Sequence, residues 1–185
     1  MTDTATVAAD AGAVLARLHA SDVQDLRTFG PVAQLVAADA SANLVGTVAP
    51  HLRPRLNALL EALIASAPAN APLVPSHGDF NARQLLVSNG DIAVTDFDSF
   101  CLAPAALDLA TYVAYDVLGG EDDLEAAFAV LEDLARSYGR RPPELSWYLA
   151  TMILRRAARP FRYFEPDWHP RLEQMVTSAE KAAAA

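Results

Sequence analysis

Two short stretches carry residue types that could do chemistry together: His77-Gly78-Asp79-Phe80-Asn81-Ala82-Arg83-Gln84 and Thr95-Asp96-Phe97-Asp98. Their carboxylate and carboxamide oxygens are hard donors, the kind that suits Mg²⁺. Mg²⁺ usually keeps part of its water shell and bridges to phosphates. Asp79, Gln84 and Asp96 on converging loop ends would therefore make a set able to handle a phosphoryl group. Such a transfer needs metal ligands to neutralise the phosphates and a further carboxylate to orient the attacking hydroxyl. Asp98 has the residue type to cap a turn as readily as to meet a metal, and Asn81 that to cap its loop.

Whether the two stretches can meet depends on the residues between them. Gln84-Leu85-Leu86-Val87-Ser88 and Asp91-Ile92-Ala93-Val94-Thr95 flank Asn89-Gly90, a strong short-range hairpin signal because a type I′ turn needs positive φ at both central positions. A two-residue turn there pairs Ser88 with Asp91, Leu86 with Ala93 and Gln84 with Thr95. That register brings Gln84 close to Asp96, with Asp79 on the loop just before. Asp96 falls one step beyond the residue opposite Gln84, so the strands must splay at that end for both to share a ligand.

The rest of the chain reads mostly as helix. Val7, Ala11, Val14, Leu15 and Leu18 form one apolar face of a helix ending near His19. A second segment, 32–48, is rich in Ala and Val but less cleanly periodic. A third, 52–67, places Leu56, Leu59, Leu60, Leu63 and Ile64 on one stripe, and Pro68 and Pro72 break it. Leu73-Val74-Pro75 is a short extended run. Helix returns after Pro104. Leu124, Ala127, Phe128, Leu131, Leu134, Ala135 and Tyr138 then make a helical stripe, with Glu121, Asp122 and Asp123 at its start and Gly139 at its end. Two more helices are expected over 144–158 and 170–184. The expected architecture is mostly α, one domain over 1–185, with helices packed around one small hairpin.

Composition narrows the function classes. Of 185 residues, 52% are hydrophobic and 20% charged, as in a folded globular protein. A formal net charge of -9 argues against nucleic acid as partner, since phosphate backbones need Lys and Arg. With Cys101 the only cysteine, no intrachain disulfide can form, and a reducing cytoplasm is the natural setting. The first residues lack the basic and apolar regions of a signal peptide, and no apolar run reaches the ~18 residues of a membrane span, so no membrane association is expected. Cys101 reads as a small buried hydrophobe. His19 and His51 read as packing or capping residues. Arg155, Arg156, Arg159 and Arg162 read as a solvated face, and Trp147, Tyr148, Phe161, Tyr163, Phe164 and Trp168 as helix-packing residues.

The order of these pieces resembles one family. His77-Gly78-Asp79, four intervening residues and an amide side chain are similar to the H-G-D-x-x-x-x-N catalytic loop of aminoglycoside phosphotransferases and choline kinases, with Gln84 where Asn is usual. Asp96-Phe97-Asp98 resembles the counterpart of the protein-kinase D-F-G segment. Pro104 with Asp108-Leu109-Ala110, and Leu15-Ala16-Arg17-Leu18-His19-Ala20, are similar to flanking parts of the same fold. The resemblance implies the helical C-terminal lobe of a kinase-like fold, with the N-terminal β-lobe and its phosphate-binding lysine absent from the chain. It implies an ATP- and Mg²⁺-dependent phosphotransferase, using ATP or another nucleoside triphosphate and a small-molecule hydroxyl substrate. Asp79 would orient that hydroxyl or accept its proton, and His77 would buttress the catalytic loop. Gln84 and Asp96 would hold Mg²⁺, Leu86 would lie beneath the adenine, and Asp108 with Gly78 would support the loop. Substrate specificity would reside between Asp116 and Trp168. The alternative is a non-catalytic, pseudokinase-like binding or oligomerisation module. In either case apolar surface around Leu73, Leu86 and Val94 is expected to be exposed and to be covered by a second copy or a partner chain.

Overall fold

The computed structural model describes residues 4–88, 91–116 and 124–185. In chain order the elements are α1 (Thr4–His19), α2 (Pro31–Val48), α3 (Arg53–Ala65), β1 (Leu73–Ser76), β2 (Leu85–Ser88), β3 (Asp91–Val94), β4 (Cys101–Pro104), α4 (Ala106–Asp116), α5 (Leu124–Tyr138), α6 (Leu145–Arg156), α7 (Arg159–Arg162) and α8 (Trp168–Ala183). The mostly helical class expected from the sequence is the one found. The chain divides into two compact units, one of residues 1–29 with 71–145, the other of residues 30–70 with 146–185.

The first unit is built on α1 packed along α5. Ala11, Val14 and Leu15 of α1 are buried, as are Ala127, Leu131, Leu134, Ala135 and Tyr138 of α5. Each fully buried leucine side chain contributes about 1.5–3 kcal/mol through apolar area removed from water. The helices approach closely at Gly12, where a Cβ would collide with the Ser137 hydroxyl and the Leu134 carbonyl. Gly139, at φ +92°, closes α5, and its amide bonds back to the Ala135 and Arg136 carbonyls. That is the helix stop the sequence signals. Glu121, Asp122 and Asp123, expected at the start of this helix, lie outside the described residues.

The same unit holds two separate two-stranded ladders rather than the one expected hairpin. β2 and β3 pair antiparallel with Ser88 opposite Asp91 and Leu86 opposite Ala93, the register read from the sequence. The Asn89-Gly90 turn itself lies outside the described residues. The second ladder joins β1 to β4, with Leu73 opposite Pro104 and Ser76 opposite Cys101. Arg27–Phe29 flanks the other edge of β4: the Leu102 amide donates to the Arg27 carbonyl and the Phe29 amide to the Leu102 carbonyl, both at 2.8 Å. β4 escaped the sequence reading because its partner is distant in the chain and its last residue, Pro104, reads as a helix start.

The second unit is helical. α2 buries Gln34, Ala38, Ser41, Ala42 and Val45, a helical stripe in which small and polar residues blur the hydrophobic period. Its polar members are paired: Gln34 Nε2 donates to Thr151 Oγ1 at 3.1 Å, and the Ala158 amide to Ser41 Oγ at 3.3 Å. On α3, Leu56, Leu59 and Leu63 are buried, whereas Ile64 faces solvent. It shares an apolar groove with Val32, Leu35, Val36 and Leu60, so the expected five-residue stripe is narrower than read. Arg55 anchors α3 to α8 through a two-pronged contact with Glu180, at 3.0 and 2.6 Å. Those hydrogen bonds hold its guanidinium pKa above the ordinary value. Trp147 and Tyr148 are core residues, but Tyr163 and Phe164 are 71% and 86% exposed and do not pack as the sequence suggested. Among the described residues no helix is long and apolar enough to cross a membrane.

Candidate active site

β1 delivers the chain into the loop 77–84. His77 is fully buried, Asp79 is half-buried and Phe80 is fully buried. Phe80 anchors the loop by packing its ring on Tyr112, with centroids 5.7 Å apart. Asn81 ties the turn from both sides: its Nδ2 donates to the Asp79 carbonyl at 2.8 Å and its Oδ1 accepts the Arg83 amide at 3.1 Å. It is a cap, one of the roles its type allowed.

Asp108, in the first turn of α4, is the loop's main support. Its Oδ2 accepts the His77 amide at 2.7 Å and its Oδ1 the Gly78 amide at 2.8 Å. Both bonds join a carboxylate to backbone donors, the stronger class of hydrogen bond. Gly78 sits at φ +83°, a region that L residues seldom enter. A Cβ there would strike the Ser99 carbonyl oxygen, so the position demands glycine twice over.

The hairpin carries the second stretch to the first. The Thr95 amide donates to the Gln84 carbonyl at 2.9 Å, extending the ladder by one pair. Asp96 then turns into the left-handed region, φ +64° and ψ +64°, a conformation Asp tolerates better than most residues. This turn supplies the expected splay. Gln84 Nε2 donates to Asp96 Oδ2 at 3.0 Å, so the two side chains meet. His77 links the stretches a second time, its Nε2 donating to the Thr95 carbonyl at 2.8 Å. Its Nδ1 faces the Asp79 amide at 3.4 Å. Its ring lies 5.0 Å from that of Phe97.

Asp96 and Asp98 are exposed, which gives the rim an acidic character suited to a cation. Among the described residues no three His, Cys, Asp or Glu side chains form a metal-holding group. The Gln84 and Asp96 side chains instead meet at an open rim with the amide nitrogen toward the carboxylate; turning the carboxamide over would bring Oε1 beside the carboxylate, hard oxygens of the kind that suits an ion completed by water and phosphate. Leu86 is 57% exposed on the hairpin. Cys101 is buried, and burial with the nearby Asp108 charge pushes its thiol pKa up to about 11. It is the inert buried residue expected of it.

His19 packs in the interior, as read from the sequence, but it also places Nε2 3.0 Å from Asp108 Oδ2, a link to the site that the sequence reading missed. Its position at the end of the first helix, in a segment already likened to a flanking part of the fold, was the available signal.

The family comparison covers most of the chain: residues 2–148 match the model of the phosphotransferase enzyme family. No curated protein sequence matches the chain. Among solved structures, a choline/ethanolamine kinase family protein from Mesorhizobium loti is similar, with TM-score 0.63 at 16% identity over 96% of this chain and 62% of its own. A spectinomycin phosphotransferase in complex with ADP and spectinomycin has TM-score 0.62 at 17% identity, covering 100% of this chain and 68% of its own. A macrolide 2′-phosphotransferase from Brachybacterium faecium has TM-score 0.57 at 23% identity, covering 97% and 63%. The chain thus spans roughly two thirds of the length of these proteins. Identities this low show the fold alone, but the family match over 2–148 shows more: the chain belongs to the phosphotransferase enzyme family.

Proposed function

We propose that residues 1–185 form the C-terminal lobe of a small-molecule O-kinase that transfers the γ-phosphoryl group of ATP, or of another nucleoside triphosphate, to a substrate hydroxyl. The observation that carries this reading is the meeting of Gln84 and Asp96, 3.0 Å apart, beside a loop whose His77 and Gly78 amides are held by one buried carboxylate. In this reading the Gln84 carboxamide, whose nitrogen faces Asp96 in the structure, turns over so that its Oε1 and the Asp96 carboxylate would hold Mg²⁺, which would neutralise the charge on the phosphates. Asp79 accepts the hydroxyl proton or orients the hydroxyl toward the phosphorus. His77, bridging from its own loop to the Thr95 carbonyl, keeps the Asp79 loop and the Asp96 loop at a fixed separation. Exposed Leu86 supplies apolar surface for the nucleotide base. The cytoplasm, with its supply of nucleoside triphosphate, is the setting this chemistry requires.

Calorimetric titration of Mg-ATP into the purified chain tests the reading, with Asp96→Ala as control. Binding in the wild type that disappears in the variant is the expected result. Equal heats in both proteins, or none in either, would sink it.

The exposure of Leu73 and Leu86, 44% and 57%, favours a second reading: a non-catalytic module whose apolar face is covered by another copy or a lobe-like partner chain. Sedimentation velocity over a hundredfold concentration range separates the two. A dimer broken by Leu86→Asp, together with silent Mg-ATP titrations, supports the module; a monomer throughout excludes a second copy.

A further inference from the structure

The loop's support does not end at Asp108. Oδ2 of that carboxylate, which takes the His77 amide at 2.7 Å, also lies 3.0 Å from His19 Nε2. Both side chains are removed from solvent, at 2% and 0% exposure. An ionised carboxylate has no proton to donate, so in its bond with Asp108 the imidazole is the donor and carries its proton on Nε2. On the other side of the ring, Nδ1 lies 3.0 Å from the Tyr138 hydroxyl, and the two rings meet edge to face with centroids 5.4 Å apart. A continuous buried chain therefore runs from the end of α5 through the last residue of α1 to the first turn of α4. It ends on the His77 and Gly78 amides.

Asp108 has a short side chain with two soft torsions, and the two loop amides approach different oxygens. Both bonds form together only in one carboxylate orientation. We infer that His19 is a positioning residue: by bonding Asp108 Oδ2 it holds the carboxylate in that orientation, and so sets the height of the loop that carries Asp79. Tyr138 fixes the imidazole in turn. The contact of α1 with α5, close enough at Gly12 to exclude a Cβ, brings the histidine and the tyrosine together. Residues 119 apart in sequence thus act on one turn of backbone. Orientation of this kind is what second-layer hydrogen bonds supply to a reactive group.

The importance of that height for phosphoryl transfer rests on the kinase reading above; the positioning itself does not, and the test separates them. The measurement is amide hydrogen exchange by NMR on the full chain, comparing wild type, His19→Leu and His19→Gln. Leucine removes the donor. Glutamine can place an amide nitrogen near the position of Nε2. His77 and Gly78 should exchange at least tenfold faster in His19→Leu, with α5 amides changed far less, and His19→Gln should recover most of the protection. Unchanged protection at His77 and Gly78, or a uniform loss across all amides, would overturn the inference. Should neither variant fold, the wild type still decides: a long-range ¹H–¹⁵N spectrum must show the His19 proton on Nε2, and a ring protonated on Nδ1 alone overturns it. Altered exchange with no Mg-ATP binding in wild type would remove the kinase reading and leave His19 in its place.

Discussion

Two antiparallel ladders of four residues per strand flank the loop of Asp79, and they are opposite in character. β1–β4 is largely buried, with Pro75, Ser76, Cys101, Ala103 and Pro104 inside, and it fixes the point where the chain enters the loop. β2–β3 is largely exposed, with Leu86, Val87 and Ser88 in solvent, and it ends where Gln84 reaches Asp96. An isolated two-stranded ribbon in water is marginally stable. The exposed ladder is therefore held by its short connection and by the bonds of Gln84, Thr95 and His77. The buried ladder is held by the core around it. One end of the site is fixed by packing and the other by a few exposed bonds, which in the kinase reading suits a loop that takes up and releases a ligand.

This contrast is open to attack at graded cost. Asp108→Ala strikes the buried end hardest, leaving the His77 and Gly78 amides and His19 without their acceptor. A loss of about 3–5 kcal/mol in urea unfolding is expected, since each donor left without its acceptor costs about 1–3 kcal/mol. A loss below about 1 kcal/mol would show that the loop is not pinned from the α4 side. Gly78→Ala should cost about 1–3 kcal/mol, from positive φ and the Ser99 carbonyl together. A neutral alanine would mean that the backbone relaxes there.

Cys101 reports on the burial of β4 through pH. Its thiol is favoured in the folded state, so the stabilisation is complete below the unfolded pKa of 9.0 and is lost as pH rises toward about 11. Wild type should therefore weaken relative to Cys101→Ala between those values, and the thiol should resist iodoacetamide at pH 8 until the chain unfolds. Rapid alkylation of the native protein would place β4 at the surface. The smallest effect belongs to the exposed ladder: Leu86→Asp should shift stability by less than about 0.5 kcal/mol. In the kinase reading it nonetheless weakens Mg-ATP binding. A large stability loss would reverse the assignment of exposed and packed ends.

The same contrast explains what could be read in advance. The register of β2 with β3 follows from a two-residue turn, because neighbours in sequence have no choice of partner once the turn type is set. The approach of Gln84 to Asp96 came with it. The stripe of α5 was equally plain, since Leu131, Leu134, Ala135 and Tyr138 repeat at the helical period. α2 was blurred because its buried face holds Gln34 and Ser41, whose cost of burial is offset by partners far along the chain. β4 was invisible for a related reason: only burial makes Cys101–Pro104 a strand.

By itself the sequence determined the helical class, the order of the motifs, the hairpin register and the residue types of the candidate site. These rest on local periodicity, turn chemistry and spacing. Tertiary structure alone decided that β1 would pair with β4, that Ile64, Tyr163 and Phe164 would face water, and that Asp96 would turn left-handed. It also decided that His19 would close on Asp108 across 89 residues. The physical reason is one of range: a turn or a helix face is set by residues within a few positions, whereas a buried hydrogen bond needs both partners brought out of water by the rest of the fold.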